Sequence, residues 1–406
     1  MSRRAQAVDV IAAVDIEAAI DHLMRFLSVD GVSGHEGAIA AAVVDALKTA
    51  GVPTSDIRFD DATQRIPMPT ETGNLIVRLP GTHPGPRLTF TTHLDTVPLC
   101  AGAKPKRVGG RIVGDGTTAL GGDNRTGCAV LVSLVETLLA HELPHPPLTL
   151  IFTVREESGL MGARHMDPAD LNGAAMGFNV DGRIAAQLVT GAVGGESWNV
   201  EIRGRAAHAG VAPEKGISAT LAASMAIAEA HRGGWFGNVV KPNGIGTSNV
   251  GVFGGKDGRS AGDATNVVTD YVHIEGESRS DDSAFMSAIT DAYRAAFAEA
   301  AAQVRDDAGA AADMSFDGRV DYYPFRLAED APVVVRAQRA AESIGLEPTP
   351  VFSRGGLDAN WFVRHGVPTV TIGAGQFEIH TVKEFVDLAE FANGCRLAVA
   401  VATLET

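Results

Sequence analysis

Four short apolar runs limit what this chain can fold into: NLIVRL from Asn74, RLTFTT from Arg87, LTLIFTV from Leu148 and MGFNV from Met176. Each is rich in Val, Ile, Phe or Thr and is bounded by Gly, Pro or polar residues, the signature of strands. A long helical stretch, about Thr126–His141, lies between them. Strand–helix–strand alternation points to an α/β fold whose sheet is mixed, largely parallel and flanked by helices. Before the strands, residues 15–50 read as helical, with Ile16, Ile20, Leu23, Met24, Phe26 and Leu27 recurring at helical spacing and a break at Gly31–Gly34.

The texture changes after residue 192. SWNVEIRG, SNVGVFG and NVVTDYVHIEGES read as strands, and Ser218–His231 and Asp281–Asp307 as helices. This is an α+β unit of two helices and three or four strands. The stretch Arg305–Gly318 reads as its exit, after which α/β texture returns with helix Pro332–Gly345, strand VPTVTIG and a last helix from about Lys383 to Thr403. The expected organisation is a catalytic domain over residues 1–192 and 313–406, interrupted by an inserted lid domain over 193–312.

Composition narrows the function. The chain has 406 residues, enough for two or three domains, with 34 Lys+Arg against 49 Asp+Glu and a net charge of −15. Such a balance makes nucleic acid and anionic membranes poor partners, because phosphate binding relies on clustered Lys and Arg. Three scattered cysteines, Cys100, Cys128 and Cys395, make neither a disulfide framework nor a CxxC metal site and fit a reducing compartment. The apolar stretch near the N-terminus is broken by Asp9 and Asp15, and CAVLVSLVETLLA from Cys128 contains Glu136, so neither a secretory signal nor a membrane span is expected. The expected location is the cytoplasm.

The ends of the strands carry the chemistry. TTHLDTVP puts His93 and Asp95 just past an apolar strand. Residues two apart on extended chain face the same side, so Asp95 can hold the second ring nitrogen of a metal-bound His93. GDGTTALGGDNRTG sets Asp123 in a glycine-flanked loop before a helix. An Asp there commonly caps the helix. The glycines also permit a tight turn that aims the carboxylate at a buried ion. No GxxxxGK[ST] follows, so a phosphate loop of that kind is excluded. LTLIFTVREESG runs into Glu156 and Glu157, two adjacent carboxylates that are unfavourable at a buried strand end without a cation. Because adjacent residues point in opposite directions, one can ligate while the other acts on a water. MGFNVDG ends in Asp181, and QFEIHTVKEF places His380 after VPTVTIG, with Glu384 as a further acid. Singly, each has an ordinary structural reading. Jointly, five strand or strand-loop ends present a carboxylate or an imidazole, where ligands bind in open α/β sheets. Two His and three or four carboxylates suit zinc or a similar divalent ion. One bridging Asp with two further ligands on each side suits two ions about 3.5–4 Å apart.

This series of motifs resembles that of the di-zinc metallopeptidases that include peptidase T, carboxypeptidase G and the aminoacylases. The order agrees along nearly the whole chain, and TTHLDTVP, the GxDxxxG loop, TVxEExGxxGA, RGGLDAN and HTVKEFV are most similar to the peptidase T branch, the tripeptide aminopeptidases. The resemblance implies two Zn²⁺ per subunit, with Co²⁺ or Mn²⁺ as substitutes. Asp123 would bridge them, His93 and Asp181 would complete one shell, and Glu157 and His380 the other. Asp95 would orient His93, and Glu156 would be the general base for a water between the ions. In GRAAHAGVAPEKG, His208 is similar to the family histidine that donates to the tetrahedral oxyanion, in dimeric relatives across subunits, which implies a homodimer through the lid. Asn249 and Arg279 match positions that hold a substrate carboxylate. Arg354, Asp358 and Asn360 of RGGLDAN would reach the substrate's end groups. The chain departs from the branch after the bridging Asp, where Asn124 and Arg125 replace a second acid and a lysine. The substrate implied is a short peptide cut from its N-terminus. The rivals are a carboxypeptidase, a dipeptidase, an N-acyl amino acid deacylase and, against the presence of every expected ligand, a non-catalytic peptide-binding scaffold.

Overall fold

A computed structural model of the protein describes residues 12–262 and 264–405. Helix Ile16–Leu27 starts where the Asp15 carboxylate accepts the Ala18 N–H at 3.0 Å, and it buries Ala19, Ile20, Leu23, Phe26 and Leu27 along one stripe. A second helix spans Gly37–Thr49. The chain divides into two units, one of residues 1–192 and 326–406 and one of Val193–Phe325.

The first unit is built on a mixed sheet in the order Ile57–Phe59, Leu75–Leu79, Leu148–Thr153, Leu88–His93, Met176–Val180, Thr369–Ile372, Gln187–Ala192. Its four central strands, Leu148–Thr153 to Thr369–Ile372, run parallel, and the outer pairs Ile57–Phe59 with Leu75–Leu79 and Leu75–Leu79 with Leu148–Thr153 are antiparallel. Every residue of those four strands is buried, as expected where helices cover both faces. Helix Gly122–Ala140 packs on Leu88–His93 and against helices Ile16–Leu27 and Leu388–Thr403. The parallel arrangement brings the carboxyl ends of four adjacent strands to one edge. A small antiparallel sheet, Gln376–Phe377, Phe385–Asp387, Arg111–Val113 and Lys106–Val108, joins the segment after His380 to the stretch before the Asp123 loop.

The second unit is a five-stranded antiparallel sheet ordered Gly237–Lys241, Gly244–Gly254, Tyr271–Ser280, Gly194–Arg203, Asp313–Tyr322. Helices Ala219–Arg232 and Ser283–Gln303 cover one face, around a core in which Trp198 lies 4.6 Å from the ring of Tyr293 and 5.6 Å from that of Phe316.

Two expectations are corrected. The return to the first unit comes after Phe325, not at 313, because Asp313–Tyr322 pairs along Gly194–Arg203 as an edge strand and packs Met314 and Phe316 on the core. The last helix begins at Leu388, not near Lys383: Phe385–Asp387 is a strand, and Asp387 caps the helix by accepting the Ala389 and Glu390 N–H groups. Among the described residues, no helix is long and apolar enough to cross a membrane.

Candidate metal centre

The strand ends of the first unit assemble His93, Asp95, Asp123, Glu156, Glu157, Asp181 and His380. His93 ends its strand and is buried. Its Nδ1 donates to the Asp95 carbonyl oxygen at 3.0 Å, with the Asp95 carboxylate at 3.4 Å. Its Nε2 faces Asp123 Oδ1 at 3.1 Å, Asp181 Oδ1 at 3.9 Å and Glu156 Oε2 at 4.0 Å. Because a carbonyl can only accept, Nδ1 carries a proton and Nε2 is the nitrogen directed at the acids. His380 Nε2 lies 2.9 Å from Glu157 Oε1 and 3.4 Å from Asp123 Oδ2. Asp123 thus has one oxygen toward each histidine. Donor atoms of His93, Asp123 and Glu157 lie within 4.8 Å of one another, as do those of His93, Glu156 and Asp181.

The backbone is organised for this. Asp95 does more than face His93: its carboxylate accepts the N–H groups of Glu156 at 2.9 Å and Glu157 at 3.2 Å, and the Ser33 hydroxyl at 2.6 Å. Arg155 sits at φ 52°, a left-handed conformation uncommon without glycine, and is held there by its N–H to Glu36 at 3.1 Å and its guanidinium to Thr70 at 2.8 Å. Asp123 is no helix cap, since it makes no capping bond and regular helical backbone starts after Asn124. Gly121, at φ 81°, supplies the turn that glycine was expected to allow.

Several residues support the centre in ways the sequence did not signal. Asn124 donates to the Val180 carbonyl at 2.7 Å, tying the Asp123 loop to the strand that ends in Asp181. Arg125 is buried and donates to the carbonyls of Leu94, of Phe26 at 3.2 Å and of Val29 at 3.3 Å. The two residues that depart from the peptidase T pattern are therefore anchors beneath the site. Gln376 donates to Asp181 at 3.0 Å. Asp358 is buried, accepts the Thr153 hydroxyl and leaves Oδ1 without a partner, and burial pushes its pKa up to about 7.

The electrostatics call for a cation. Burial opposes charge on His93, yet Glu156, Asp123, Asp95 and Asp181 hold its pKa well above the ordinary value. Hydrogen bonds to Asp123 and Glu157 push His380 up to about 10. Burial, then the charge of Asp123, pushes Asp181 up to about 7, and burial with Asp181, Asp358 and Glu157 raises Glu156 well above the carboxylate range. Five clustered carboxylates against two imidazoles leave excess negative charge in a place that disfavours it. Nitrogen and oxygen donors of this kind fit a zinc-like divalent ion.

The remaining expected site residues sit on other elements of the chain. Arg354 is exposed after strand Thr349–Ser353, and Asn360 accepts the Leu357 N–H at 3.0 Å as helix Asp358–Arg364 begins. In the second unit, Asn249 and Arg279 share the sheet face opposite the helices: Asn249 pairs with Glu277, Thr247 with Arg279, and the alternate residues Ser248 and Ser278 turn inward. Arg279 donates to Glu277 at 2.8 Å. His208 is exposed on a loop, and its Nδ1 accepts the Gly210 N–H at 3.2 Å.

Residues 89–404 match peptidase family M20/M25/M40. The uncharacterized protein YqjE of Bacillus subtilis (strain 168) is 34% identical over 384 residues, which cover 94% of this chain and 96% of that protein. The structure of aminopeptidase PepT from Bacillus cereus ATCC 10987 is 35% identical with a TM-score of 0.82, over 96% of this chain and 99% of that one. A tripeptidase from Staphylococcus aureus is 27% identical with a TM-score of 0.85, over 96% and 98%. The match spans most of the sequence and takes in the strands that gather the histidines and carboxylates: the chain belongs to peptidase family M20/M25/M40.

Proposed function

We propose that this enzyme hydrolyses the amide bonds of short peptides, releasing the N-terminal residue of tripeptides. The observation that carries this is the meeting of His93, Asp123, Glu157, Asp181 and His380 around Glu156 at the carboxyl ends of parallel strands. Two zinc ions would be held with Asp123 between them, His93 and Asp181 on one side and Glu157 and His380 on the other; Co²⁺ or Mn²⁺ could substitute. When bound, such ions lower the pKa of water toward neutrality and polarise a substrate carbonyl. Glu156 then accepts the proton of the attacking water at its carboxylate and returns it to the leaving amine. Asp95 fixes both the His93 tautomer and the Glu156–Glu157 backbone, so base and ligand keep one geometry.

The lid residues complete the reading. With Nδ1 accepting a backbone N–H, the neutral His208 ring carries its proton on Nε2, the state that donates to an oxyanion. Asn249 and Arg279, on one sheet face, would hold the substrate carboxylate, and the family resemblance supports a homodimer as the working unit. Relatives named aminopeptidase PepT and tripeptidase favour this substrate over the carboxypeptidase, dipeptidase and deacylase readings. A panel of di- and tripeptides with free or blocked termini, with N-acyl amino acids, decides the matter. Free-amino tripeptides should be the best substrates, and acetylating the amine should lower kcat/KM by roughly 100-fold or more, because a site built to bind a polar group rejects the analogue lacking it. Equal turnover of acylated substrates would select the deacylase or carboxypeptidase.

Zinc uptake should release protons. The pKa values of His93 and His380 are raised, so both rings hold at neutral pH a proton that an ion must displace. Affinity for zinc should therefore increase as pH rises from about 6 to about 8, read by chelator competition. A flat profile would contradict this proton inventory.

A further inference from the structure

Glu384 is a buried acid that neither ligates nor acts as base in the reading above. It is 3% exposed. Its Oε2 accepts the N–H groups of Leu120 at 2.7 Å and Gly121 at 2.8 Å, and its Oε1 accepts that of Asp123 at 3.1 Å. One carboxylate thus collects three backbone donors within four residues of the loop that presents Asp123. The loop leads into helix Gly122–Ala140, whose N-terminal dipole also favours an anion there. The contact is close: a Cβ on Gly122 would lie 2.9 Å from Val386 Cγ2 and 3.2 Å from Glu384 Oε1.

The other end of Glu384 is tied to His380. Its own N–H donates to the Thr381 carbonyl at 3.1 Å, closing the turn that follows His380, and the next residues enter strand Phe385–Asp387 of the small sheet. A single side chain therefore links the loop of Asp123 to the segment of His380, two side chains whose polar atoms stand 3.4 Å apart.

We propose that Glu384 is a positioning residue for the metal pair: it sets the place of Asp123 relative to His380 through three backbone hydrogen bonds. This rests on the two-ion reading of the site. Glutamine in its place has one oxygen fewer to accept with and brings an NH₂ group against N–H donors, so part of the loop loses its partner. Gly122 offers a second handle, because a methyl group there pushes the strand from the loop without removing any ionisable group.

The test measures zinc affinity by competition with a chromophoric chelator, together with the thermal midpoint of the metal-free proteins. Glu384→Gln should bind zinc about 10- to 100-fold more weakly, the usual cost of losing an outer partner of a ligand. Because Asp123 would serve both ions, both binding steps should weaken. Gly122→Ala should shift affinity in the same direction, and it carries the test if Glu384→Gln does not fold. A merely structural Glu384 would lower the metal-free midpoint and leave zinc affinity at the wild-type value, and that result for the folded variants overturns the proposal. A wild type that takes up fewer than two zinc ions overturns the two-ion reading itself. Two ions held by the wild type and held as tightly by both variants overturn the role of Glu384 alone.

Discussion

Glu156→Gln should lower kcat by about 1,000-fold and leave two zinc ions in place. The amide keeps the volume and the hydrogen-bonding outline of the side chain but cannot accept a proton. The turn that presents it should persist, since Asp95 holds the Glu156 N–H at 2.9 Å through the backbone, which the substitution does not touch. Metal content is the informative readout. One oxygen of Glu156 lies with donor atoms of His93 and Asp181 in one group within 4.8 Å, so the geometry also permits Glu156 as a ligand. If it ligates, the glutamine variant loses an ion along with its activity. If it is the base, turnover falls and the ions remain. A zinc-loaded variant of normal activity would remove Glu156 from the reaction altogether.

Asp123→Ala should have the broadest effect of any single substitution. One of its oxygens faces His93 at 3.1 Å and the other faces His380 at 3.4 Å, so in the proposed pair its loss would weaken both sides at once. Zinc affinity should weaken by more than about 100-fold, beyond the cost of losing an outer partner, and peptide hydrolysis should fall with it. The two imidazoles hold Asp123 well below the usual carboxylate range against the opposing effect of burial, so the variant also leaves those rings with one fewer counter-charge. Equilibrium dialysis against zinc reads this directly. Retention of one tightly bound ion beside an empty second site would show that Asp123 serves a single ion and bridges nothing.

Much of this centre was legible because it obeys a rule of parallel sheets. An apolar run that stops on His93, on Glu156–Glu157 or on Asp181 declares both its strand and the side of the sheet where its polar residue emerges. Asp123 was legible through its glycines, and Gly121 indeed adopts the left-handed turn. What escaped is the layer that works through the backbone. Nothing in the residue types near Glu384 says that it will accept three N–H groups from a loop some 260 positions earlier. Asn124 and Arg125 looked like departures from a pattern, and only the fold reveals the carbonyls they hold. Strand Asp313–Tyr322 was missed for a different reason. It lies at a sheet edge with one face in solvent, so Met314 and Phe316 alternate with charged and polar residues in a stretch that composition alone assigns to a linker.

The most direct test is the metal content of the purified wild type, followed by chelator titration with peptide hydrolysis measured at each step. Two divalent ions per chain are expected, with activity lost as they are removed and regained when two equivalents of zinc return. Full activity in a protein carrying one ion or none would contradict the two-ion centre.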